Sequence, residues 1–129
     1  MLSKTLFFTS LEELQSESEA LRAFAPSFVI AFASPTFFLV PSFHQTLTEI
    51  CVNCVGCSTA GEISGNRVFE NGITLVAVRF RSIAQVKIYH TRLQDMNSSF
   101  STGQSLADDI DNEGLRGVYL LAPGVDVNG

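Results

Sequence analysis

Apolar positions along the chain follow two periods, one of helices and one of strands. Leu11, Leu14, Ala20, Leu21 and Phe24 recur at roughly helical spacing. The Ser10-x-x-Glu13 pattern ahead of them is a capping box that opens a helix, and Pro26 closes it. Phe28–Ala33 is a continuous apolar run of strand length, stopped by Ser34-Pro35, and predicts a buried strand. Pro41 stands where a first helical turn tolerates it, and Phe43, Leu47, Ile50 and Cys51 continue one face of a second helix. Cys54–Ser58 predicts the next strand.

Further on, residues 72–80 and 84–92 alternate between apolar and polar positions. They are separated by Arg81-Ser82-Ile83, which predicts a hairpin. A third helix begins at Ser101 or Thr102 and carries Leu106, Ala107 and Ile110. Gly114 and Gly117 flank its exit into a last strand at 118–122. The predicted order is α-β-α-β-β-β-α-β: an α/β chain with a mixed sheet of about five strands and helices packed on it. The closing run Pro123-Gly124-Val125-Asp126-Val127-Asn128-Gly129 reads as a turn introducing another helix, with Asp126 or Asn128 as its cap.

Composition narrows the picture. A chain of 129 residues has the size of one domain, spanning 1–129. With 46% hydrophobic and 16% charged residues it is globular, and its eleven Phe and no Trp predict a Phe-rich core. A net charge of -5 argues against nucleic-acid binding, which needs a basic face. The longest apolar stretch, 28–40, is broken by Ser34-Pro35 and is shorter than the ~20 residues of a membrane span. The first ten residues lack a small-residue cleavage signature, so no signal peptide is expected. Three cysteines, an odd number, do not point to a disulfide scaffold, and the expected location is the cytoplasm with reduced thiols.

Candidate chemistry concentrates at Gly56-Cys57-Ser58-Thr59-Ala60-Gly61-Glu62. Two glycines bracket a thiol and two hydroxyls, and a carboxylate follows at once. Glycine lets backbone approach another group closely, and Ser and Thr in such a turn bond neighbouring amides or a ligand. These residues predict a small-molecule pocket at a strand end, lined by Cys57, Ser58, Thr59, Gly61 and Glu62. The segment resembles the signature of the FIST N-terminal domain, with 28–34 before it and Val127-Asn128-Gly129 after it in supporting order. The resemblance covers most of the chain but only the front portion of that domain. It implies a bacterial, intracellular sensory module that binds a small ligand such as an amino acid. Outputs of kinase, chemotaxis or cyclic-dinucleotide type are implied, as is a ligand contact from Asn128. Some members of the family bind heme and respond to nitric oxide, for which His90 and His44 are the candidates here. Pro123 departs from the family, which more often has an acidic residue before that glycine.

Other readings of the same residues are weaker. Cys51-x-x-Cys54-x-x-Cys57 matches three-quarters of a cluster-binding motif, but the chain has no fourth cysteine, so no metal is expected. Gly56-x-Ser58-x-x-Gly61 is one residue too long for a nucleophile elbow. A hydrolase or acyl-transfer enzyme using Cys57 or Ser58 is therefore the alternative, and no catalytic residue is assigned. On a strand, His90 would share the buried side with Ala84, Val86 and Ile88, while His44 borders the apolar stripe of its helix. High apolar content with few charges, and a sheet lacking part of its cover, lead to the expectation of a homo-oligomer, most simply a two-fold dimer.

Overall fold

The computed structural model describes residues 1–64, 66–81 and 84–122, with residues 62 and 64 described by their backbone alone. The chain forms two compact units, Met1–Lys87 and Ile88–Gly129.

The first unit opens with strand β1 (Leu2–Phe8) and helix α1 (Leu11–Ala23). Ser10 caps α1 as its sequence predicts. The Glu13 N–H donates to Ser10 Oγ at 3.3 Å, and the Glu13 carboxylate reaches back to accept from the Thr9 N–H at 2.7 Å. Strand β2 (Phe28–Ala33), the short helix α2 (Pro35–Phe38) and helix α3 (Pro41–Ile50) lead to strand β3 (Cys54–Ser58). A small hairpin of β4 (Glu62–Ser64) and β5 (Arg67–Phe69) comes next, then strand β6 (Ile73–Arg79).

The main sheet has the order β1-β6-β2-β3. Strand β6 is antiparallel to both its neighbours, and β2 and β3 are parallel. Strand alternation sends Phe8, Val29, Ala31, Ala33, Ile73, Leu75 and Ala77 to one face. There they join Leu14 and Leu21 of α1 and Phe43, Leu47 and Ile50 of α3 in one core. On the opposite face Phe7 stacks on Phe69 of β5 with ring centroids 4.1 Å apart, and Phe28 packs beside Phe80 at 5.7 Å.

The second unit contains a turn of 3-10 helix, Met96–Ser98, and helix α4 (Ser99–Asp108). Asp95 and Ser98 form a reciprocal capping box, the Ser98 N–H donating to Asp95 Oδ1 at 2.8 Å.

The mixed α/β class read from the sequence is the class observed, with a four-stranded sheet in place of about five strands. Several elements differ from expectation. Strand β1 and the β4–β5 hairpin were not anticipated, and α4 begins at Ser99 rather than at Ser101 or Thr102. Residues 84–92 form no strand, although their alternation predicts one. The reason is topological: β6 already has β1 on one side and β2 on the other, so it has no free edge for a hairpin partner. Ser82 and Ile83 of the expected turn lie outside the described residues. Residues 118–122 are also without regular structure, with Val118, Tyr119 and Leu120 more than 60% exposed. An apolar run becomes a strand only with a hydrogen-bonded neighbour, and the second unit has no strand among its described residues.

Candidate functional site

Because β2 and β3 are parallel, both end on the same edge of the sheet, Ala33 beside Ser58. Strand β6 begins at that edge, with Ile73 opposite Ala33. The segments that continue from these ends are tied together. The Thr59 N–H donates to the Ala33 carbonyl at 3.0 Å, and the Ser34 N–H donates to the Gly72 carbonyl at 3.2 Å. In open α/β sheets, ligands gather outside the carboxyl ends of the strands.

The predicted site residues divide by face and by burial. Cys57 pairs with Phe32 on the sheet face away from the core and is half-buried, while Ser58 is exposed at the strand end. Thr59 and Gly61 are half-buried. A Cβ on Gly61 would touch Val68 Cγ1 at 3.2 Å and the Phe69 carbonyl at 3.5 Å, so the β4–β5 hairpin closes over the loop. Glu62 begins β4 opposite Phe69; its side chain, and the whole of Asn128, lie outside the described residues. Gly56 has a packing role. Any Cβ there would collide with the backbone carbonyl of Ala31 across the β2–β3 pair.

Three residues at this edge escaped the sequence reading: Ser34, Thr36 and Asn71. Ser34 is buried at 5% exposure. Its hydroxyl lies 3.3 Å from Thr36 Oγ1 and donates to Asn71 Oδ1 at 3.4 Å. Ser34-Pro35 served only as a strand terminator in the sequence. Its place at the carboxyl end of a parallel strand was the available signal. Residues 34–38, 58–61 and 70–72 contain no Lys or Arg. Lys4 Nζ and the Arg79 guanidinium stand at the opposite edge, where they flank the Phe24 ring at 4.9 and 5.5 Å, while Arg67 opens β5 in the hairpin that follows the loop, opposite Ser64.

The three cysteines do not share a face. Cys51 is buried at the end of α3, its Sγ 3.4 Å from the Pro26 carbonyl, and burial raises its pKa. Burial, and secondarily the charge of Cys51, push the Cys54 thiol up to about 11. Cys57 stands an odd number of residues from Cys54 on one strand and therefore faces the other way. Among the described residues, no group of three or more His, Cys, Asp and Glu is placed to hold a metal ion. His44 is exposed on α3. His90, expected on the buried side of a strand, is exposed in an irregular stretch, because the strand that would have turned it inward does not form.

A cavity of about 490 Å³ lies at the other edge, at the amino ends of β2 and β3, lined by Pro26, Ser27, Cys51, Asn53, Gln85 and Val86 among others. The sequence placed a pocket at the signature end; this cavity is at the opposite one.

A family model for the FIST N domain matches residues 27–129. The chain belongs to the FIST N domain family. The match starts just before β2, so the signature loop, β2, β3 and β6 lie within it, while β1 and α1 precede it. FIST domains are sensory domains of signal transduction. No curated protein and no solved structure matches this FIST N domain. None of its helices, among the described residues, is long and apolar enough to cross a membrane.

Proposed function

We propose that this FIST N domain is the ligand-receiving part of a cytoplasmic signalling protein. It binds a small metabolite, an amino acid in the first instance, at the carboxyl ends of β2 and β3. Cys57, Ser58, Thr59, Gly61 and Glu62 contribute from the loop after β3. Occupancy is passed to an output of kinase, chemotaxis or cyclic-dinucleotide type. The observation that carries the reading is the parallel β2–β3 pair, which delivers the signature loop beside Ser34 at one sheet edge. Residues 56–62 contain no Lys, Arg or His to activate Cys57 or Ser58, which favours binding over turnover.

A thermal-shift screen with amino acids, small carboxylates and heme tests this. A ligand at a hundred times its Kd stabilises the native state by about 2.7 kcal/mol. A flat response across the amino acids and carboxylates refutes the reading, and a response to heme alone replaces it with heme sensing. Self-association is part of the proposal. Strand β3 has β2 on one side and no strand on the other among the described residues, an edge suited to a two-fold dimer. Light scattering coupled to size exclusion reads it directly, and a monomer at tens of micromolar removes it.

A further inference from the structure

The main chain of Ser34 is fully used: its N–H donates to the Gly72 carbonyl at 3.2 Å, and its own carbonyl accepts from the Phe37 N–H at 3.0 Å. Its side chain is not. The hydroxyl is buried, yet its partners Thr36 Oγ1 and Asn71 Oδ1 stand at 3.3 and 3.4 Å. Well-made O–H···O bonds are shorter than that, and a buried hydroxyl with stretched bonds retains capacity for a further polar group.

Asn71 is exposed and sits on the far side of Ser34 from the signature loop. The Ser34 hydroxyl donates to its Oδ1, and the exposed amide carries two further donors on Nδ2. Gly72 and Thr59 flank β2 on its two sides, so Asn71 and the Ala60-Gly61 amides stand about two inter-strand spacings apart, roughly 10 Å. A molecule with two polar groups a few bonds apart spans that distance through its hydrogen-bonding partners. The donors that residues 34–38, 58–61 and 70–72 supply are neutral, since these stretches hold no Lys or Arg, and their one charge is the exposed carboxylate of Glu70 beside Asn71; the cation nearest in sequence is Arg67 of β5. A phosphate, which calls for charge-assisted donors, fits poorly there. A carboxylate balanced by its own ammonium fits well.

We propose that Asn71 is a specificity-determining residue that reads the carboxylate of a zwitterionic ligand through Nδ2, and that Ser34 is the positioning residue that aims it. This rests on the amino-acid reading above and adds to it the group that selects the ligand. The test uses calorimetry with the common L-amino acids, carrying forward the best binder and its carboxamide. Asn71→Asp replaces the two donors with a carboxylate. It should weaken the amino acid by about tenfold or more, a loss of about 1.4 kcal/mol, and change the carboxamide far less. Ser34→Ala should bring the carboxylate-to-carboxamide affinity ratio towards one, a shift that general loss of stability would not produce. If a bound amino acid is indifferent to Asn71→Asp, or both ligands weaken equally, the assignment of Asn71 is overturned and the binding reading stands. If no amino acid binds the wild type at millimolar concentration, both fall together.

Discussion

Gly56→Ala is the substitution with the most direct structural consequence. The new methyl would be driven into the Ala31 carbonyl of the neighbouring strand, with the Ala31 Cβ also only 3.3 Å away. A backbone oxygen cannot swing aside as a flexible side chain does, so the strands must separate. Strand β3 has no partner on its other side among the described residues, and it is therefore the one that moves. Overpacking alone costs about 1–3 kcal/mol. Displacement weakens the parallel ladder running from Val29–Cys54 to Ala33–Ser58, in which each hydrogen bond contributes about 0.5–1.5 kcal/mol. Part of the ladder survives the shift, so the expected loss is about 3 kcal/mol. Urea unfolding followed by circular dichroism measures it. With a slope of about 2 kcal/mol/M, the midpoint should fall by about 1.5 M. A midpoint within about 0.25 M of wild type, or 0.5 kcal/mol, would show that the close approach is not required and that this glycine serves the ligand instead.

Ser10→Ala removes the side-chain acceptor for the Glu13 N–H, and the same urea assay should show a loss of about 1 kcal/mol. Gly103→Ala lies inside α4, where a Cβ meets nothing within 4 Å; the second unit should gain up to about 1 kcal/mol, read as increased amide protection in hydrogen exchange. Because the folded Cys54 thiol titrates at about 11, above the ordinary value of 9.0, the native state holds this proton longer than the unfolded chain does. Stability should be unaffected by this group below pH 9 and should decline as pH rises from 9 towards 11, a decline that Cys54→Ala lessens. At pH 8, iodoacetamide should label Cys54 in the native protein far more slowly than in urea.

What the sequence disclosed depended on whether an element's partner was implied by its own pattern. Helices α1 and α3 announce themselves by the helical period of their core faces, β6 by its alternation and β2 by a continuous apolar run, and the core that each implies exists. Strand β1 is obscured by Leu6-Phe7-Phe8, consecutive apolar residues that serve both faces: Phe8 joins the core while Phe7 stacks on Phe69. Strands β4 and β5 have three residues each, too few for any period. The alternation at 84–92 is real, but pairing needs an open edge, and only topology says which edges are open. The site divides in the same way. Local glycine and hydroxyl spacing reveals the loop after β3, whereas Ser34 and Asn71 meet only because β6 lies beside β2.

The central position of β6 also dictates when the sheet can be made. Leu2 pairs with Arg79 and Phe8 with Ile73, so β1 waits for partners that are synthesised roughly seventy residues after it. At ~5–20 residues per second that is about 4–14 s, while a local hairpin closes in microseconds. Throughout that interval Leu6, Phe7 and Phe8 form an unpaired apolar strand on a nascent chain, open to any other edge nearby. Lys4 stands within that strand, where a charge discourages edge-to-edge pairing until β6 arrives.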